Sequence, residues 1–118
     1  MTGHDFTWQL RYPGPDREFD TDDDVLAQQH LHLPAGTAVE LDLRSDDFVY
    51  SLYLPEYELI EMAFPGRPLI VEITTYSAGT SKLRGSQMCG FTHKALLGDV
   101  VVQTPEDFRR WTQRPGPR

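Results

Sequence analysis

The chain's single cysteine lies in the stretch Gly85-Ser86-Gln87-Met88-Cys89-Gly90-Phe91-Thr92-His93, and three residues separate it from His93. A thiolate and an imidazole at that spacing reach one metal ion from a single loop. One cysteine excludes an internal disulfide and any zinc site built on cysteine pairs within the monomer. Taken alone the spacing is weak evidence, because a lone thiol in an apolar domain usually behaves as a small inert hydrophobe. His30 and His32 alternate and so share one strand face, a pairing that suits zinc or copper. Leu31 and Leu33 claim the opposite face for the core, which leaves both imidazoles toward solvent. His4 falls in an N-terminal segment expected to be mobile, and Glu56, Glu58 and Glu61 read as surface carboxylates. Nothing resembles a Ser-His-Asp set, a P-loop or a glycine-rich dinucleotide loop, so a hydrolase or kinase has no support.

Short period-two segments separated by turn signals must position these residues. Turns are marked by Tyr12-Pro13-Gly14-Pro15, Leu33-Pro34-Ala35-Gly36, Ser45-Asp46-Asp47, Phe64-Pro65-Gly66 and Ser77-Ala78-Gly79. Between them Val39, Leu41 and Leu43 alternate with Glu40, Asp42 and Arg44, the signature of a half-buried strand over 38–44. Gln28 to Leu33, Phe48 to Leu54 and Leu69 to Tyr76 read as further strands. Phe48, Tyr50, Leu52 and Leu54 form the core set of one, and Leu69, Val71 and Ile73 that of another. Phe6 to Tyr12 and Val100 to Gln103 complete the pattern. Many short strands punctuated by Gly and Pro predict an all-β sandwich or barrel. One short C-terminal helix follows: Thr104 as N-cap, Pro105 at the first helical position, and Glu106 and Asp107 at the positive dipole end. Phe108 and Trp111 share the face that docks it. The expected layout is one domain over 1–118, with its core over about 6–112 and a disordered tail at 113–118.

With 118 residues, 18 acids against 11 Lys and Arg, and a net charge of -7, the chain lacks the positive field that nucleic acid requires. No apolar run approaches the roughly 18 residues that span a bilayer, and no signal-peptide pattern opens the chain. The domain reads as soluble; if its parent is anchored or exported, the anchor or signal is expected to lie outside this stretch. Asp16, Glu18, Asp20, Asp22, Asp23 and Asp24 make a solvated connector. A sharper reading of that stretch is an acidic edge for a cationic protein.

From Phe6 to Trp111 the sequence resembles the copper domain of cytochrome c oxidase subunit II. Phe6-Thr7-Trp8-Gln9-Leu10-Arg11-Tyr12-Pro13 is similar to the family's aromatic strand ending in Tyr-Pro. Leu31-His32-Leu33-Pro34-Ala35-Gly36-Thr37-Ala38-Val39 and Ser45 through Pro55 follow its next two motifs, the second with one extra residue. Phe64-Pro65-Gly66-Arg67, Cys89-Gly90-Phe91-Thr92-His93 and Pro105 through Trp111 continue them in order. The resemblance implies a Greek-key cupredoxin-like β-sandwich with a short C-terminal helix. It places the domain beside heme-copper oxidase subunits, at the periplasmic or outer face of a membrane, with a basic cytochrome c as donor. It assigns the domain no catalysis of its own.

The resemblance also implies a dinuclear copper centre with two bridging Cys, two His, a Met and one backbone carbonyl. Carried over residue by residue, that set mostly fails. Cys89 matches the second Cys, His93 the second His, and Gln87 the carbonyl donor. Tyr50 stands for the first His and Leu96 for the Met. The first Cys has no counterpart: a gapless count puts Gly85 there, while aligning Leu83-Arg84-Gly85 with the family's Tyr-x-Gly shortens the loop by two residues. Two coppers held close need both thiolates, so a dinuclear centre is not expected. A mononuclear copper on Cys89, His93, Tyr50 and Gln87 is the leading expectation, for electron transfer or copper handling. The alternatives are a filled, metal-free docking domain and an open copper or iron site for oxygen or nitrogen-oxide chemistry.

Overall fold

The structure, a computed structural model, describes residues 1–13, 25–87 and 93–113, with the backbone alone described at Gln87. Cys89, the acidic stretch from Asp16 to Asp24 and the tail beyond Gln113 lie outside the described residues. Among the described residues ten strands form two five-stranded sheets. The first contains β1 (Thr2–His4), β2 (Thr7–Tyr12), β3 (Val25–Gln28), β5 (Ala38–Ser45) and β8 (Leu69–Thr74), in the order β3-β2-β1-β5-β8. The second contains β4 (Leu31–Pro34), β6 (Tyr50–Leu54), β7 (Leu59–Ala63), β9 (Gly79–Gln87) and β10 (Leu97–Gln103), in the order β4-β10-β9-β6-β7. Leu10, Leu41, Leu43 and Ile73 from the first sheet meet Leu31, Leu33, Leu52, Leu54, Leu83 and Val100 from the second in one core. The expected all-β sandwich with one closing helix is the architecture found.

Alternation chose the faces. In β5, Leu41 and Leu43 are buried while Glu40 and Arg44 are exposed, as half-buried strands require. In β8, Val71 and Ile73 are buried but Leu69 is exposed, so the core set there is one residue shorter than expected. The segment from Gln28 to Leu33 divides, because Gln29 takes φ 71° and sends the chain from one sheet to the other between β3 and β4. His4 is not in a mobile segment. It ends β1, pairs with Thr7, and sits 3.2 Å from the Asp46 carboxylate. Glu61 lies in β7, a strand the turn pattern did not reveal.

The helix α1 (Pro105–Thr112) starts as its sequence dictates, with Thr104 Oγ1 accepting the Asp107 N–H at 3.2 Å. Thr104→Ala is expected to cost about 1 kcal/mol, read as a lower urea midpoint with an unchanged slope. Trp111 anchors the helix on His32, ring centroids 4.0 Å apart and 9° from parallel, and takes the edge of Tyr12 at 5.1 Å. His32 therefore does not share a solvent face with His30; it is half-buried under the helix, and its Nδ1 bonds Gln103 Oε1 at 2.9 Å. Burial is the main cause that lowers its pKa, against the opposing pull of Gln103 and with a smaller push from His30. The neutral ring is the form that the fold holds. Stability is thus complete above the ordinary value of 6.5 and falls as pH drops through the lowered one. Replacing His32 by Phe should remove that slope from pH-dependent urea titrations while keeping the stack on Trp111.

Candidate functional site

Tyr50, at the head of β6, is where chemistry and fold meet. Its Cα lies opposite Gln87 of β9 and Ala63 of β7, so the backbone of Gln87 stands beside it in register. The ring is fully buried and packs on Trp8 with centroids 5.5 Å apart. On its other side is Gly3, where even a Cβ would overlap the ring. The phenol oxygen accepts the Phe6 N–H at 3.1 Å and donates to Asp47 Oδ1 at 2.8 Å. Asp47 in turn accepts the Asp5 N–H at 2.7 Å and the Phe48 N–H at 2.8 Å. Three backbone N–H groups thus converge on one tyrosine and one carboxylate.

The hairpin they hold is strained. Asp5 and Phe6 form its two-residue loop with φ of 49° and 60°, a pair of left-handed positions that favours Asn-Gly. Asp47 and Tyr50 bond the N–H of both residues, which offsets part of that strain. The turn then lays Phe6 on Phe48, centroids 4.9 Å apart and 21° from parallel. His93 stacks beyond Phe6 at 6.3 Å. It is exposed and caps the 3-10 turn over Lys94–Leu96, its Nδ1 accepting the Ala95 N–H at 3.2 Å. Leu96 is fully buried, and its carbonyl accepts Trp8 Nε1–H at 3.2 Å.

Electrostatics follow from this geometry. Burial, reinforced by the Asp47 carboxylate, pushes the Tyr50 phenol up to about 12, against the Phe6 N–H that favours the phenolate. Burial also works to raise Asp47, but the N–H groups of Asp5 and Phe48, the Tyr50 hydroxyl and the His4 charge together hold its carboxyl below the ordinary range. Of the four residues proposed from sequence, Tyr50 and His93 are linked through Phe6 and the Gln87 backbone lies in register with Tyr50, while Cys89 lies outside the described residues. Among the described residues no group of three or more His, Cys, Asp or Glu is arranged to hold a metal ion. Asp47 was missed as a site residue, since sequence marks it only as part of the Ser45-Asp46-Asp47 turn.

The residues fit poorly to the dinuclear copper centre that the resemblance implies. One cysteine in 118 residues cannot supply two bridging thiolates. The gapless position for the first cysteine, Gly85, is closed as well: a Cβ there would strike Trp8 Nε1 and stand 2.8 Å from the Leu96 carbonyl.

No protein-family model matches the chain. It is 30% identical over 97% of its length to a cytochrome c oxidase subunit 2 from Thermostichus vulcanus, of which it covers 32%. It is 26% identical over 97% of its length to an alternative cytochrome c oxidase subunit 2 from Bradyrhizobium diazoefficiens, of which it covers 49%. The chain therefore spans a third to a half of these curated relatives. The crystal structure of the periplasmic domain of subunit II of cytochrome oxidase (CoxB) from Bradyrhizobium japonicum superposes with a TM-score of 0.77 at 18% identity. That match covers 95% of this chain and 87% of the other. Sequence and fold agree: the chain is a cytochrome c oxidase subunit II-like domain with a cupredoxin-like fold.

Proposed function

We propose that this domain serves a heme-copper oxidase as a docking module, at the periplasmic or outer face of the membrane, with its copper pocket closed. The observation that carries this is the Tyr50 hydroxyl, placed in the core between the Asp47 carboxylate and the Phe6 N–H. To become a ligand the phenol must lose its proton, which burial and the adjacent carboxylate both oppose. Leu96 is fully buried and offers no lone pair from its side chain. Gly85 suits the alignment with the family's Tyr-x-Gly, because Trp8 and the Leu96 carbonyl require a glycine there; on that alignment the first cysteine is deleted. The same end keeps Phe6 and Phe48 among Asp5, Asp46 and Asp47, a surface that suits a cationic protein such as a basic cytochrome c.

A second reading retains one copper on Cys89, His93 and the Gln87 carbonyl. The register that sets Gln87 opposite Tyr50 and the exposure of His93 favour it. It needs Tyr50 or another group as the third strong ligand, and Tyr50 is already engaged. The two readings separate in the assembled oxidase. Cys89→Ala together with His93→Ala is expected to leave assembly and turnover within about twofold of the parent. Loss of turnover with the domain still folded and assembled would overturn the docking reading.

A further inference from the structure

The outer face of the second sheet carries a registered row of exposed side chains. Ile60 of β7 lies opposite Tyr53 of β6, Tyr53 opposite Arg84 of β9, and Arg84 opposite Leu97 of β10. The row crosses four strands, so Ile60 and Leu97 stand about 14 Å apart at the usual strand spacing. Ile60 is 66% exposed, Leu97 41% and Tyr53 38%. On one side lie Met62 and the hydrogen-bonded hydroxyls of Ser51 and Ser86, 2.7 Å apart; on the other, Lys82 and Asp99 pair at 3.8 Å. Leu26 and Ile70, exposed on the other sheet, each face a charge across their strand pair, Arg11 and Asp42, and Leu69 faces the buried Leu43. Arg84, at the centre of the apolar row, has no ion-pair partner among the described residues.

We propose that this face is the one on which the domain docks to a neighbouring protein of the oxidase, through an apolar strip on that protein with a carboxylate set to meet Arg84. This rests on the docking reading above. The composition fits: Tyr and Arg with aliphatics at the centre, and Met, hydroxyls and a charge pair at the margin, as at the cores and rims of protein interfaces. Charge selects the occupant. One unpaired cation in an apolar row matches a single carboxylate, whereas an anionic membrane surface is held by clusters of four to eight Lys or Arg, and the chain's net charge of -7 repels it.

The test uses the full oxidase complex. A photo-crosslinking amino acid is placed at Ile60 or Leu97, and, as a control, at the exposed Phe48 beside Phe6. Arg84→Glu, Arg84→Lys and Ile60→Glu are made in parallel, with melting temperature as the check on folding. Expected are crosslinks from Ile60 and Leu97 to an identified oxidase subunit, with tenfold or greater loss of co-purified complex in Arg84→Glu and Ile60→Glu. Arg84→Lys should retain the complex, and all three melting temperatures should stay close to the parent's. If both Glu variants stay in the complex and only Phe48 crosslinks to it, the face is wrong and the docking reading survives. If no position crosslinks and the parent does not co-purify, both fail. Crosslinking of Ile60 and Leu97 to lipid, with sedimentation on anionic vesicles, would also overturn the proposal.

Discussion

Cysteine in place of Gly85 is expected to destabilise the domain rather than to restore a ligand. The glycine sits in β9 with Trp8 over it, and any side chain there would press into the indole and stand 2.8 Å from the Leu96 carbonyl. The indole cannot move aside freely, because its N–H is bonded to that same carbonyl in the core. Overpacking of a filled core costs typically 1–3 kcal/mol and sometimes more; with backbone on one side and a buried hydrogen bond on the other, about 3 kcal/mol is expected. Guanidinium unfolding of Gly85→Cys and Gly85→Ala checks it. Equal losses in the two variants would show that space, not the thiol, is the cause. A Gly85→Cys variant as stable as the parent would mean that the pocket is open.

Tyr50 should give the second large effect. Tyr50→Ala removes a fully buried aromatic ring and is expected to cost about 4 kcal/mol. Tyr50→Phe keeps the ring but leaves Asp47 and the Phe6 N–H without their partner, a loss of about 1–3 kcal/mol. Its pH dependence identifies the hydroxyl. The phenol titrates near 10 in the unfolded chain and at about 12 in the fold, so its contribution is complete below pH 10 and is lost as pH rises toward 12. Tyr50→Phe should lack that alkaline decline. The Asp47 carboxyl, held below its ordinary 3.8, contributes above that value and loses its contribution as pH falls through the lowered one. Urea titrations of the parent, Tyr50→Phe and Asp47→Asn across pH 3 to 11 separate the two arms.

Much of this fold can be read from particular residues. The alternation through Val39, Leu41 and Leu43 and the Thr104-Pro105 cap mark elements by local physics alone. The strand from Gly79 to Gln87 escapes that logic, since Thr80, Ser81 and Lys82 present no apolar alternation and only pairing with β10 makes them a strand. His32 escapes it too: its strand face is open until α1, distant in sequence, arrives to cover it with Trp111. The site was legible as a set of substitutions against a family pattern, which identified Tyr50 and Leu96 but not what they do. Sequence leaves a phenol beside a metal and a phenol bonded to a carboxylate equally open. The choice was made by the turn at Asp47 and the φ values of Asp5 and Phe6, which bring three N–H groups to one point.

The most direct test of the closed pocket is a copper titration of the purified chain, followed by desalting, metal analysis and visible absorption. A closed pocket gives no thiolate-to-copper charge-transfer band and retains far less than one copper per chain, with Cys89→Ser unchanged from the parent. An intense band at one copper per chain, abolished by Cys89→Ser and weakened by Tyr50→Phe, would contradict it.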